Sequence, residues 1–205
     1  MYVPHHYKNE NLEEVRSFIE QNSFGLLINQ VNGKPWATHI PLELEKDGDH
    51  YYLVGHLAKA NPQCKSFTKE AQVLCIFNGP HAYISSSWYK EEEVPTWNYI
   101  AVHVYGRLTL LDEQATLDSL DRLINKYEKD SEHPVLMREL SANTMKQIKG
   151  IVGFSIHIDE IQAAYKLSQN RSKDHASIIK NLKSRGVTES EIARHIEKIT
   201  PSNQN

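Results

Sequence analysis

Residues 55–63, Gly-His-Leu-Ala-Lys-Ala-Asn-Pro-Gln, form the first of three stretches whose side chains could do chemistry, joining the end of a strand-like run to the start of a short helix. Asn61-Pro62 reads as an N-cap followed by proline at the first helical position. The free backbone N–H groups of Gln63 and Cys64 would then point at whatever lies over the helix N-terminus, with Lys59 and His56 alongside. A phosphate monoester suits that arrangement. Thr38 and His39, on a strand expected to neighbour the one ending at His56, could complete the cradle. Taken alone, the segment favours a plainer account in which Asn61 caps a helix and Lys59 is solvated. Capping needs Asn61 in either case, so His56 and Lys59 carry the phosphate reading.

The second stretch, residues 79–99, sets Trp88, Tyr89, Trp97 and Tyr99 among serine, threonine, histidine and asparagine side chains. Flat rings beside a few placed polar groups suit a planar aromatic ligand. A dimer seam or a barrel core would use the same residues, and both readings stay open. The third is Lys166-Leu167-Ser168-Gln169-Asn170-Arg171, an unusually polar end for a strand. Lys166 and Arg171 could pair there with a phosphate or with an acidic partner chain.

Other chemistries find little support. The eleven histidines include no HExxH or similar ligand spacing, so no metal site is expected. No nucleophile elbow, Walker loop or GxGxxG is present, and no catalytic residue can be named. Glu91, Glu92 and Glu93 read as a solvated loop. Cys64 and Cys75, in no paired motif, read as buried free thiols of a reducing compartment. With a mean hydropathy of −0.55 and no long apolar run, no membrane span is expected. The first residues lack the basic and apolar regions of a signal peptide, which places the protein in the cytoplasm.

Of the net charge of −3, the C-terminal part runs the other way: residues 162–205 hold eight Lys/Arg and four Asp/Glu. That modest basic excess is the only candidate DNA-contacting face, with Lys180, Lys183 and Arg185 as its contacts. The stretch 184–196 invites a helix-turn-helix reading. Leu182 stands where such modules place alanine, however, and Asn181 and Arg185 where they want apolar residues. A helical hairpin folded back on the rest of the chain or on a partner explains the segment better.

The elements that must position these groups follow from periodicity. A helix is expected over about 11–22, then strands over 24–31, 36–45 and 51–57 as a meander, the first turn being Asn32-Gly33. A short helix at 61–69 leads to a fully covered strand at 73–77, a turn at Gly79-Pro80 and a strand at 82–86. A long strand at 96–110, helices at 112–127 and 135–149, and a hairpin of 151–158 with 163–168 follow. Helices at 174–185 and 188–199 close the chain, the second opened by a capping box at Thr188 and Glu191. Seven or eight antiparallel strands that do not alternate with helices favour a closed or half-closed barrel over a doubly wound sheet.

MYVPHHY, GHLAKANPQ, FNGPHAYISSSWY, VPTWNYIAVHVYG, GIVGF and KLSQNR, in that order across residues 1–171, resemble the PaiB family. Its members are FMN-binding split-barrel proteins described as negative transcriptional regulators of protease synthesis and sporulation. The resemblance implies a mainly β, α+β fold: an antiparallel split barrel over 1–171 with inserted helices, and a helical appendage over 172–205. It also implies a homodimer with FMN at the subunit interface. His56, Lys59 and Asn61 would lie near the FMN phosphate with Thr38 and His39 adjacent, and Trp88, Trp97 and Asn98 near the ring or the seam. Lys166, Ser168, Gln169 and Arg171 would contribute from the C-terminal strand. The departure is Ser86, where the family pattern has proline. Two function classes follow: a repressor acting on DNA, or a small FMN-dependent oxidoreductase. Haem binding is a more distant third.

Overall fold

The computed structural model describes residues 1–68 and 70–200. Its strands are β1 (Phe24–Val31), β2 (Lys34–Pro41), β3 (Glu43–Asp47), β4 (His50–Ala58), β5 (Ala71–Ile84), β6 (Thr96–Leu110) and β7 (Ile151–Lys166). The helices are α1 (Leu12–Gln21), α2 (Glu113–Glu128), α3 (Ala142–Met145), α4 (His175–Lys183) and α5 (Val187–Ile199). The strands form one antiparallel sheet in the order β2-β1-β5-β6-β7-β4-β3, the mainly β, α+β architecture that the motifs imply. The chain divides into two units, Met1–Val15 with Asn78–His103 and Gln162–Asn205, and Arg16–Phe77 with Val104–Ile161. They are called the first and second unit below.

In the second unit, β1 and β2 are joined by Asn32-Gly33, both at positive φ (52° and 77°), as a tight hairpin turn requires. The expected strand 36–45 is broken. Pro41 has no N–H for a ladder, and buried Leu42 instead donates its N–H to Ser23 O at 2.8 Å. The break replaces the expected meander by two hairpins, β1–β2 and β3–β4, which occupy opposite edges of the sheet. Leu42 joins those edges, and the curled sheet encloses Leu27, Leu53, Phe77, Leu108, Phe154 and Ile156. Gly106 permits the curl. A Cβ there would lie 2.3 Å from His157 O, closer than any side chain can come.

Two expected turns do not form. β5 runs unbroken through Gly79-Pro80, and β7 runs unbroken through 159–162. Both places coincide with the chain's passage from one unit to the other, after Phe77 and after Ile161. The expected helix at 61–69 shortens to a 3-10 turn, Pro62–Ser66; Lys69 lies outside the described residues. The piece at 135–149 is broken into α3 and two 3-10 turns, Met137–Glu139 and Lys146–Gly150.

In the first unit, Asn9 N–H donates to Ala163 O at 3.0 Å, tying the N-terminal residues to the end of β7. Helices α4 and α5 bury Ile178, Leu182, Ile192, Ala193 and Ile196. α5 starts at Val187 with Gly186 as its N-cap, so the expected capping box at Thr188 is not used. Ser86 opens the 3-10 turn Ser86–Trp88, a first-turn position that proline also suits. No helix among the described residues is long and apolar enough to cross a membrane.

Candidate functional site

The corner between β4 and the turn Pro62–Ser66 is held by a saturated polar network. Asn61 Nδ2 donates to Thr38 Oγ1 at 3.1 Å, and Thr38 Oγ1 donates to Gln63 Oε1 at 2.6 Å. Gln63, fully buried, donates through Nε2 to Leu27 O and to Asn29 Oδ1, both at 3.1 Å. The amides expected to be free for an anion are not. Gln63 N–H donates to Asn61 Oδ1 at 3.0 Å, and Cys64 N–H donates to Asn61 O at 3.0 Å. A turn this short spends its first amides on its own cap, which leaves only side chains to meet an anion at this corner.

Among those side chains the strand alternation separates Thr38 from His39. Thr38 turns to Asn61, whereas exposed His39 stacks on Phe24 with ring centroids 6.2 Å apart. His56 is half-buried, and burial holds its imidazole below the usual histidine range, so it is neutral at physiological pH. The cation of this corner is Lys59. Its side chain is exposed, and its backbone N–H donates to Gly150 O at 2.8 Å, anchoring the strand end.

Lys59 also lines a cavity of about 820 Å³ within the second unit. The remaining wall comes from Leu110 at the end of β6 and Leu111 after it, the cap and first turns of α2 (Asp112, Glu113, Thr116, Leu117), the segment with Met145, Lys146, Ile148 and Lys149, and the start of β7. Among the described residues Lys59, Lys146 and Lys149 are in no ion pair. Against them stand Glu113 and Asp112, whose Oδ1 accepts Ala115 N–H at 2.8 Å as the cap of α2. The positive end of that helix adds to the three lysines. Sequence reasoning missed Lys146 and Lys149. Their signal was the Lys-x-x-Lys spacing before Gly150, which places both on one side of a turn.

The other predicted site residues lie in the first unit. Asn98, fully buried, donates to Ser168 Oγ at 2.9 Å, and Ser168 adopts the left-handed φ of 59°. Lys166 Nζ donates to Thr96 Oγ1 at 2.5 Å, and Arg171 pairs with Glu93. Asn98, Lys166, Ser168 and Arg171 share the lining of a small polar pocket of about 150 Å³. Gln169 spends its amide locally, accepting from Leu167 N–H at 2.8 Å and donating to Tyr165 O. Trp88 is buried beneath the Arg185 guanidinium, 4.4 Å from the ring centre. Trp97 is 54% exposed, with the rings of His81 and Tyr83 at 6.0 and 5.9 Å. Of the DNA-contact candidates, Arg185 is thus stacked, Lys183 is paired with Glu197 at 2.5 Å, and Lys180 is exposed.

A family model described as "Putative FMN-binding domain" matches residues 1–160. The chain belongs to that family. The match covers the second unit up to residue 160 and ends before Lys166. The chain is also 49% identical over 184 residues, 89% of each sequence, to "Protease synthase and sporulation protein PAI 2" of Bacillus subtilis (strain 168), the PaiB relationship its motifs imply. Among solved structures, its fold is similar to the FAD and heme binding protein of Mycobacterium smegmatis (TM-score 0.61, 15% identity, 78% of this chain and 73% of that one). The flavocytochrome Anf3 of Azotobacter vinelandii is comparable (TM-score 0.60, 18% identity, 78% and 70%). FMN is the cofactor assigned by family membership. The cavity beside Lys59 fits it, with apolar walls for a flat ring system and three unpaired lysines for a phosphate dianion.

Proposed function

We propose that the protein is an FMN-binding negative regulator of protease synthesis and sporulation, and that FMN occupies the cavity of the second unit. In this reading Lys59, Lys146 and Lys149 hold the phosphate, while Leu110, Leu117, Met145 and Ile148 cover the ring. Neutral His56 offers a hydrogen bond at the same corner, and Thr38 and Asn61 hold that corner in shape. Bound FMN would supply a redox-sensitive group whose charge and shape can report cellular state. The observation that carries the flavin reading is the cavity itself, about 820 Å³ with unpaired lysines, inside the residues matched by the family model. The regulatory part rests on the 49% identity to PAI 2.

The protein acts in the cytoplasm as a homodimer, with residues 1–171 as the flavin-binding portion and 172–205 as a helical appendage. The exposed Trp97, Tyr83 and Val94 of the first unit support a seam with a second copy. DNA is the regulatory partner, contacted through Lys180 and, once Glu197 and Trp88 release them, Lys183 and Arg185.

Titration with FMN, followed by flavin fluorescence, tests the cofactor. Saturable quenching is expected, and it should be lost when Lys59 and Lys146 are both changed to Ala. Quenching unchanged in that double variant would remove FMN from this cavity. For the regulator, affinity for promoter DNA should fall steeply with salt. It should also vanish on neutralising Lys180, Lys183 and Arg185; affinity indifferent to both would remove direct DNA contact.

A further inference from the structure

The first unit contains a second built site, too small for a flavin. Its pocket measures about 150 Å³ and adjoins a second of about 260 Å³. Tyr89, Glu93, Asn170 and Arg171 line both, so the Arg171–Glu93 ion pair stands between the two compartments. Ligand pockets for molecules of flavin size begin at roughly 300 Å³.

Two cations meet in the smaller compartment, and its one carboxylate is Glu93. The Lys166 ammonium lies 5.5 Å from the Tyr7 ring centre and donates to Thr96 Oγ1. Burial pushes the phenols of Tyr7 and Tyr89 up while the Arg171 charge pulls both down, so one guanidinium serves two phenols. Ser168, at its left-handed φ, is held by Asn98 Nδ2 on its hydroxyl, and its carbonyl oxygen lies 2.9 Å from His175 Nε2 and accepts Arg171 N–H at 2.9 Å. A non-glycine residue kept in that region marks a loop whose shape is imposed by its surroundings, and such loops gather where ligands are held.

We propose that this pocket binds a small oxyanion, a carboxylate or phosphate group, and that the Glu93 carboxylate is its internal stand-in. The ligand takes the place of Glu93 on Arg171, with the Thr96-bonded Lys166 as the second cation beside it, and the acidic loop of Glu91, Glu92 and Glu93 is released toward solvent. The exchange is within reach because the pair is partly solvated, with side chains 40% and 27% exposed, and ion pairs of that kind are weak. Asp174 is not paired with Arg171; its Oδ1 accepts Lys90 N–H at 2.9 Å. The site belongs to the first unit alone and does not depend on where FMN binds.

Calorimetric titration of the full chain with inorganic phosphate and, separately, with malonate tests the site and tells the two sources of oxyanion apart. Glu93→Gln keeps the shape of the side chain and removes its charge. If the internal carboxylate fills the site about nine-tenths of the time, that variant should bind one of the two probes about tenfold more tightly than the unmodified chain. Arg171→Met should abolish binding, with an unchanged circular-dichroism spectrum as the check that the chain is folded. Binding by Glu93→Gln no tighter than by the unmodified chain, or by neither protein, overturns the proposal. Binding that survives Arg171→Met also overturns it.

Discussion

The corner of Thr38, Asn61 and Gln63 and the pocket of Lys166, Ser168 and Arg171 are both polar, yet they spend their hydrogen-bonding capacity in opposite ways. At the corner the neutral groups saturate one another, down to the amides of Gln63 and Cys64, and the cations Lys59, Lys146 and Lys149 are left over. In the pocket the cations are already engaged, Arg171 by Glu93 and Lys166 by Thr96. A saturated neutral network is scaffold, because each member lost leaves the others buried and unpaired. A cation with no partner can receive an anion, and one paired with an acidic loop can exchange it.

The sharpest way to break the comparison is Gln63→Ala. It takes the acceptor from the Thr38 hydroxyl and the Gln63 donor from Asn29 Oδ1 and Leu27 O together, and should cost about 3 kcal/mol in urea unfolding. A loss below about 1 kcal/mol would mean that the corner is not scaffold.

Lys59→Ala tests the other half of the contrast. FMN affinity should weaken about tenfold, or about 1.4 kcal/mol, while folding stability changes by less than about 0.5 kcal/mol. Equal losses of stability and affinity would erase the distinction between scaffold and ligand contact.

Removing the Arg171–Glu93 pair through Glu93→Gln should alter stability by less than about 1 kcal/mol, the range of an exposed pair. A larger loss in thermal unfolding would make that pair structural.

The smallest effect is expected with pH. Burial holds His56, His103 and His195 below the usual histidine range, so the unfolded chain binds more protons than the folded one under mildly acid conditions. Their contribution to stability is complete above a pH of about 6.5 and declines as the pH falls below it. Unfolding followed at pH 7.5 and 5.5 should show that decline, and His56→Gln should make it shallower; an unchanged slope would place His56 in water.

Much of the fold was legible because its signals are local. β1 and β6 lie where alternation put them, and the Asn32-Gly33 hairpin forms with both residues at positive φ. Gly79-Pro80 and residues 159–162 misled because a break in apolar rhythm looks the same whether the chain reverses or continues from one unit into the next. At the candidate site, the residues of 55–63 stood out by type. Lys146 and Lys149 did not, because their Lys-x-x-Lys spacing reads the same on a cavity wall as on a face in water.

What the sequence by itself determined is the set of elements and the family motifs, since caps, turns and alternation act over a few residues. Only the tertiary structure decided which polar groups are spent. Whether Asn61 and Thr38 are free to meet an anion or are bonded to each other, and whether Arg171 is open or held by Glu93, depends on partners 23 and 78 residues apart in the chain. No short stretch of sequence encodes those distances.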